Sequence, residues 1–281
     1  MSSNPQKNVD PLTVAGFGDE WSTYTQTQLG RDEQLRMFEL YFGIFPWGEL
    51  PPNAEGFDLG CGSGRWAEVV RERVGFLHCI DASEKALAVA RDRLADAGNV
   101  AFHLAEVSKI PLPDASQDFG YSLGVLHHVP DPAAGLAACV AKLKPGAPFL
   151  IYIYYALENR APWFRALWRL SDGVRSIISR APFAFRKNAT AAIAALVYWP
   201  LARSAARAER LGLNPNSIPL SAYRHSSFYT MRTDALDRFG TRLEHRFTRS
   251  EIEQMMVAAG LEKIEFQEGI PYWVACGRRL G

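Results

Sequence analysis

From residue 54 onward, short apolar runs alternate with longer stretches in which apolar and polar residues recur at helical spacing. The short runs predict strands buried on both faces, because almost every residue in them is apolar. The longer stretches predict helices, which end at glycine or proline. The predicted strands are residues 56–59, 76–80, 100–104, 119–126, 148–154, 261–266 and 272–277.

Residues that cap free backbone groups mark the starts of several predicted helices. Ser83 and Asp131 are predicted N-caps, and Pro132 takes the first helical position, where its missing N–H is not needed. Thr248 and Glu251 have the spacing of a capping box. The predicted helices are residues 31–45, 64–74, 84–97, 132–143 and 249–259.

This order of elements predicts an α/β fold. We expect a Rossmann-like, mostly parallel sheet of seven strands with helices on both faces. The core comprises residues 50–155 and 245–281, and residues 156–244 form a helical insertion after the fifth strand. Residues 1–49 form a tail, flexible to about residue 15, and a cover helix.

Composition excludes several classes of protein. The chain is 48% hydrophobic and has a net charge of +1, so neither global disorder nor a general affinity for nucleic acid is indicated. Its four cysteines lack the spacing of a zinc site and suggest reduced thiols in the cytoplasm. The polar N-terminus does not resemble a signal peptide, and the longest uncharged stretch, 188–202, is too short to span a membrane.

A glycine-rich turn follows the first predicted strand and carries the first indication of function. Its glycines would let the backbone turn sharply beside a ligand, at the start of a helix with free N–H groups. The spacing is Gly-x-Gly-x-Gly, which differs from the dinucleotide-binding pattern Gly-x-Gly-x-x-Gly. Asp58 precedes the turn, and a second acid, Asp81, ends the next predicted strand. A carboxylate at that position can accept hydrogen bonds from ribose hydroxyls. The turn reads Asp58-Leu59-Gly60-Cys61-Gly62-Ser63-Gly64.

These motifs together resemble those of the class I methyltransferases that use S-adenosylmethionine (SAM). The resemblance covers about 54–155 and 245–280 and is closest to a small-molecule branch that includes quinone-biosynthesis enzymes. Further matching segments are Cys79-Ile80-Asp81-Ala82-Ser83, Glu106-Val107, Ile110-Pro111-Leu112-Pro113-Asp114, the ten residues from Leu123 to Pro132, and Leu143-Lys144-Pro145-Gly146.

The resemblance implies cofactor contacts at matching positions. The pocket would bind SAM and its product S-adenosylhomocysteine. The glycine turn and Leu123 would line the methionine part of the ligand. Asp58 would orient the ammonium group, directly or through water. Asp81 would hold the ribose, Glu106 the adenine amino group, and the N–H of Val107 a ring nitrogen. The implied cofactor-binding set is Asp58, Gly60, Cys61, Gly62, Gly64, Asp81, Ala82, Glu106, Val107 and Leu123.

Methyl transfer to a hydroxyl also requires a base that removes its proton. His127 and His128 are candidates because they follow the fourth strand at the carboxyl edge of the sheet, and bracing of this loop is the alternative. His225, flanked by Tyr223 and Tyr229, is a third candidate in the insertion. No metal is expected, because the clustered acids of a catecholate-type Mg²⁺ site are not seen. In related enzymes an N-terminal segment folds over the pocket, so Trp21 and Tyr24 are expected either to cover SAM or to pack on the core.

The insertion differs from the core in charge. Residues 160–210 carry ten basic and two acidic residues, a net charge of +8, which leaves −7 for the rest of the chain. Apolar residues from Trp163 to Ile178 recur at helical spacing, with arginines largely between them, and predict a basic amphipathic helix. A lid, a homodimer contact and contact with an anionic membrane surface all remain open.

The sequence therefore predicts a SAM-dependent enzyme that methylates a small molecule, with a hydroxyl as the expected acceptor and a lipid-linked or anionic substrate as one class. The alternatives are a SAM-binding protein without transfer activity and transfer to carbon or nitrogen. A nucleic-acid methyltransferase is disfavoured, because Leu126-His127-His128-Val129 stands where such enzymes carry a Pro-Pro-Tyr motif.

Overall fold

The computed structural model describes residues 8–269 and 273–281, and the described residues contain a seven-stranded sheet. The strands are β1 (Glu55–Leu59), β2 (Phe76–Asp81), β3 (Val100–Leu104), β4 (Phe119–Leu123), β5 (Pro148–Tyr152), β6 (Leu261–Phe266) and β7 (Val274–Arg279). Their order across the sheet is β3-β2-β1-β4-β5-β7-β6. The first five run parallel, and β7 is antiparallel to β5 and β6. The predicted fold class is confirmed.

Ten α-helices accompany the sheet in the described part of the chain. They are α1 (Pro11–Thr23), α2 (Arg31–Phe42), α3 (Ala67–Val70), α4 (Glu84–Arg93), α5 (Pro132–Lys142), α6 (Pro162–Ile178), α7 (Phe183–Ile193), α8 (Trp199–Arg210), α9 (Phe228–Gly240) and α10 (Arg249–Ala258).

The predicted caps are present. The side chains of Ser83 and Asp131 accept hydrogen bonds from the N–H groups of Ala86 and Ala134, at 3.4 and 3.0 Å. Thr248 and Glu251 form the reciprocal bonds of a capping box at the start of α10. Each cap satisfies backbone donors that the first helical turn leaves unpaired, and is worth about 1 kcal/mol.

Some boundaries differ from those predicted. The helix expected over residues 64–74 contracts to the four residues of α3, because the chain still follows the glycine turn through Gly64, whose φ is +74°. Strand β4 ends at Leu123 because Gly124 has a φ of +77° and a 3₁₀ turn follows at Leu126–His128. Residue 272, predicted to begin the last strand, lies outside the described residues.

The predicted N-terminal tail is also revised. Residues 1–7 lie outside the described residues, but α1 begins at Pro11, within the segment expected to be flexible to about residue 15. Asp10 caps this helix by accepting a hydrogen bond from the N–H of Thr13 at 2.7 Å. An Asp-Pro pair at a helix start is a recognised signal, so the sequence contained the information.

The described residues fall into two compact units. The first comprises residues up to Ser22, Leu35–Glu158 and the chain from Leu243, and the second comprises Thr23–Gln34 and Asn159–Arg242. The first unit holds the sheet, with one apolar cluster that includes Phe57, Ile80 and Phe149 and another that includes Leu77, Tyr121 and Leu150. Successive residues of one strand thus belong to different clusters, because side chains along a strand point alternately to the two faces of the sheet.

The second unit is helical and has its own small core. Ile178, Tyr198, Ala202, Met231 and Ala235 are buried together there. A π-helical turn over Ala194–Tyr198 precedes α8, near Pro200, which has no N–H to donate to a preceding carbonyl. None of the helices in the described residues is both long and apolar enough to cross a bilayer.

Candidate functional site

A pocket opens at the carboxyl ends of β1, β2 and β4, where the strand order reverses between β1 and β4. Ligands of open α/β sheets bind at this switch point. The pocket and the open solvent above it together span about 770 Å³. It is lined by Asn8, Val9, Asp10, Thr13, Val14, Phe17, Trp21, Leu59, Gly60, Asp81, Ala82, Ser83, Ala105, Glu106, Val107, Leu123, Gly124, Val125, His128 and Val129.

The glycine turn at this edge of the sheet requires glycine for two reasons. Gly60 and Gly62 have φ values of +78° and +54°, which side chains rarely allow. A Cβ atom on Gly60 would overlap Cγ2 of Val125, and one on Gly62 would lie 3.0 Å from Nε1 of Trp21. The turn therefore brings bare backbone against both Trp21 and Val125.

Asp81 fixes the turn to the end of β2. Its Oδ2 accepts a hydrogen bond from the N–H of Gly62 at 2.9 Å, and its Oδ1 accepts one from the N–H of Ser83 at 2.8 Å. Burial raises the pKa of Asp81, while N–H donors from Ser83, Gly62 and Ala82 oppose the rise. Each oxygen keeps further acceptor capacity for a ligand hydroxyl.

Glu106 provides an acceptor that no donor among the described residues meets. Its Oε2 atom is buried and accepts no hydrogen bond from the described residues. A buried carboxylate oxygen without a donor is unfavourable, and an amino group of a ligand in the pocket would correct this. Ala82, Val107 and Leu123 line the same pocket and supply apolar surface. These residues suit an adenosine group, which combines an apolar ring with hydroxyl and amino donors.

Helix α1 and the residues before it contribute much of the remaining pocket wall. Asn8 anchors this segment, since its Nδ2 donates to the carbonyl of Asp131 at 2.7 Å and its Oδ1 accepts from the N–H of Asp131 at 2.8 Å. Trp21 lines the pocket, as the sequence suggested, and its ring is 5.7 Å from the guanidinium of Arg65. The contribution of Asn8 was missed because residues 1 to about 15 were taken for a flexible tail.

His128 is the histidine that reaches the pocket. Its Nδ1 lies 2.7 Å from the carbonyl oxygen of Leu243, which can only accept, so Nδ1 carries the proton. In the neutral ring Nε2 is then the basic nitrogen. The ring also packs 5.0 Å from Phe17 and is almost wholly buried.

His127 is not among the pocket-lining residues. It is fully buried, its ring stacks on Tyr154 at 3.9 Å, and neither ring nitrogen has a hydrogen-bond partner in the described residues. Burial lowers the pKa of His127 well below its usual value, and the charges of His128, Arg246 and His245 lower it further. The rings of the two histidines contact each other, with centroids 4.0 Å apart, but of the two it is His128 that lines the pocket.

Asp58 lies beneath the turn rather than in the pocket lining. It stands beside Cys79 and Tyr121 on the neighbouring strands. Burial raises the pKa of Asp58 to about 8, the Tyr121 hydroxyl opposes this, and the charge of Asp81 adds to it. Cys61, Gly62 and Gly64 are likewise outside the lining, and direct contact of these four residues with the cofactor stays a prediction.

The other predicted residues belong to the second unit. His225 is exposed there, and its Nε2 lies 2.8 Å from Glu209. Tyr24 and Tyr229 pack edge to face at 6.0 Å, with the guanidinium of Arg232 over the ring of Tyr24 at 4.7 Å. Tyr223 packs against Tyr198 at 5.4 Å. The structure thus places Tyr24 and Tyr229 together, and their predicted roles with substrate stay predictions.

Comparison with known proteins agrees with this geometry. A family model described as a methyltransferase domain matches residues 57–151. A ubiquinone biosynthesis O-methyltransferase of Paracidovorax citrulli is 33% identical over 174 residues, covering 56% of this chain and 66% of that protein. A malonyl-(acyl-carrier protein) O-methyltransferase of Serratia marcescens is 30% identical over 147 residues, covering 52% of this chain and 55% of that protein.

A solved structure supports the fold in the same way. The YcgJ protein of Bacillus subtilis superposes with a TM-score of 0.50 at 16% identity, covering 84% of this chain and 70% of that chain. The sheet order, the glycine turn and the pocket at the switch point define a class I methyltransferase fold. The predicted resemblance to the class I SAM-dependent methyltransferases is confirmed, and the match to the methyltransferase domain covers residues 57–151. The chain matches about half the length of the curated relatives, from 43% in one to 66% in another.

The glycine turn yields a first prediction. Replacing Gly62 by valine combines a strained positive φ with a clash against Trp21, so we expect SAM binding measured by calorimetry to be lost. Gly212→Val is the matched control, because Gly212 has a φ of +74° but no atom within 4 Å of an added Cβ. Normal SAM affinity of Gly62→Val would refute the assignment of the turn.

The buried Asp58 predicts an effect of pH on stability. Because its pKa rises from 3.8 to about 8 on folding, the native state binds more protons than the unfolded state between these values. Its contribution to the free energy of unfolding is therefore present at low pH and is lost as pH rises, by up to about 1.4 kcal/mol per unit. Asp58→Asn cannot ionise and should become more stable relative to wild type between about pH 5 and 8.

Thermal or urea unfolding of both proteins over that range measures the difference. Asp96→Asn, at an exposed position of the first unit, is the control and should follow the wild-type curve. Parallel curves for wild type and Asp58→Asn would show that Asp58 is ionised in both the folded and the unfolded state.

Proposed function

We propose that this protein transfers the methyl group of SAM to a hydroxyl group of a small molecule. The observation that carries the proposal is His128, an imidazole in the pocket lining whose proton is held on Nδ1 by the carbonyl of Leu243. A base with a fixed tautomer in the same pocket as Asp81 and Glu106 is what proton removal during O-methylation requires.

Each pocket residue has a distinct role in this proposal. SAM supplies the activated methyl group on a sulfonium, so the chain needs to bind, align and deprotonate. Asp81 accepts from the ribose hydroxyls, and the unpaired Oε2 of Glu106 accepts from the adenine amino group. Trp21 and Phe17 on α1 exclude water from the bound molecules, and Nε2 of His128 takes the proton of the acceptor hydroxyl.

Two relatives suggest the kind of acceptor. They are named as O-methyltransferases, one in ubiquinone biosynthesis and one acting on a malonyl-(acyl-carrier protein). We propose a small hydroxylated acceptor, with an apolar or lipid-linked body, and we propose neither a metal nor nucleic acid as a partner. Four buried, unpaired cysteines support a reducing, cytoplasmic location.

A turnover assay tests the function itself. The protein is incubated with methyl-labelled SAM and a panel of hydroxylated phenols, quinols and acyl carriers, and label in the product is counted. Transfer to at least one hydroxyl acceptor supports the proposal. SAM binding without transfer to any acceptor would favour a SAM-binding regulatory protein, and label on carbon or nitrogen would overturn O-methylation.

The role of His128 is tested by His128→Asn. The asparagine Nδ2 can still donate to the carbonyl of Leu243, but the basic Nε2 is removed. We expect kcat to fall by about 10²- to 10⁴-fold while SAM affinity stays unchanged. The limb of the kcat–pH profile that reports the base should disappear. His103→Asn, on β3 beside His78, is the control and should retain activity. An equal loss in His225→Asn and none in His128→Asn would move the base to the second unit.

The role of Asp81 is tested by Asp81→Ala. We expect SAM to bind more weakly by roughly 1–3 kcal/mol, because buried polar groups of the ligand and of the Gly62 and Ser83 backbone lose their acceptor. Calorimetry with SAM and S-adenosylhomocysteine measures the change, with exposed Asp96→Ala as the control. Unchanged affinity would mean that Asp81 is not the ribose ligand.

A further inference from the structure

One side of helix α6 presents a row of exposed apolar side chains, here called the α6 stripe. Trp163, Leu167, Leu170, Val174 and Ile177 are 55%, 47%, 70%, 42% and 75% exposed. They are separated by four, three, four and three residues, so they lie on one side of the helix over a length of about 21 Å. Soluble proteins rarely expose a continuous apolar surface of this size without a partner for it.

The packed side of α6 carries polar residues as well as the buried Ile178, so the apolar residues of α6 are divided between the core and the α6 stripe. Nε of Arg175 lies 2.6 Å from Asp172, and Nη1 of Arg175 donates to the carbonyl of Thr241 at 2.9 Å. Arg238, on α9, lies 3.8 Å from Asp172. A helix that only covered a core would bury its apolar side and expose its polar side. The α6 stripe is therefore left outside the core of its own unit.

The charge around the α6 stripe is strongly positive. Residues 160–210 have a net charge of +8, and both acids of this segment already have basic partners. Asp172 pairs with Arg175, and Glu209 lies 2.9 Å from Arg224 and 2.8 Å from His225. Arg165, Arg169, Arg180 and Lys187 are exposed. The surplus of positive charge is thus available to an external anionic partner.

We propose that the α6 stripe docks in the plane of an anionic lipid bilayer. Apolar side chains would enter the boundary between headgroups and acyl chains, while nearby arginines would meet anionic headgroups. Trp163 suits this depth, because its ring is apolar and its indole N–H is polar. A symmetric dimer through the α6 stripe fits less well, because it would bring two segments of charge +8 together. The inference goes beyond the proposed methyl transfer and does not depend on it.

Vesicle co-sedimentation tests the docking with the full chain. Unilamellar vesicles of phosphatidylcholine are compared with vesicles that contain about one third phosphatidylglycerol. At about 0.1 M salt we expect at least tenfold stronger binding to the anionic vesicles, and weaker binding at about 1 M salt, because the attraction is electrostatic at long range. Equal binding to both vesicle types, or none to either, would overturn the proposal.

Three variants separate the apolar and the charged contributions. Leu170→Glu with Ile177→Glu should weaken binding at least tenfold, because charges replace the two most exposed positions of the α6 stripe. Arg165→Gln with Arg169→Gln should weaken binding to anionic vesicles about tenfold and leave binding to neutral vesicles unchanged. Leu104→Glu with Val257→Glu is the matched control, since these apolar residues of the first unit are 58% and 57% exposed, and it should bind as wild type does.

Two further measurements check the folding and the oligomeric state of the variants. All substituted positions are exposed, so each variant should show the wild-type thermal unfolding curve. Light scattering after size exclusion reports the oligomeric state. A wild-type dimer that dissociates in Leu170→Glu with Ile177→Glu would assign the α6 stripe to a second copy and overturn membrane docking. Wild-type vesicle binding by that variant would overturn it as well.

Discussion

The carboxylate of Asp81 accepts one backbone hydrogen bond at each oxygen, and these two bonds join the glycine turn to the end of β2. The turn can take its shape only because Gly60 and Gly62 lack side chains, which lets Val125 and Trp21 approach the backbone. The pocket exists because these segments meet where the strand order reverses. Removing this anchor would release the loop on which the predicted cofactor contacts depend.

Much of the first unit was predictable because its signals are local. Apolar runs marked the strands, and Ser83, Asp131 and Thr248 marked helix starts, because each of these features depends on neighbours within a few residues. The bounds of the two units were not predictable in this way. They depend on tertiary contacts, such as those by which residues 23–34 join the second unit.

The site was predicted unevenly for a physical reason. Asp81 and Leu123 end strands and Glu106 follows one. Because the carboxyl ends of parallel strands lie at one edge of the sheet, their positions at the pocket could be inferred. The two adjacent histidines could not be told apart, because the direction of each ring depends on partners far away in sequence. His128 meets the carbonyl of Leu243, whereas His127 stacks on Tyr154. The contribution of Asn8 depended on Asp131, more than a hundred residues later.

The contact between His128 and Leu243 has a consequence for the orientation of the His128 ring. Leu243 is the residue at which the chain re-enters the first unit after the long excursion through the second. The N–H of His245 also donates to the carbonyl of His127, at 2.9 Å, so the returning chain is bonded to the same turn twice. The orientation of the His128 ring is therefore set by the segment that follows the second unit in the sequence, beginning at Leu243.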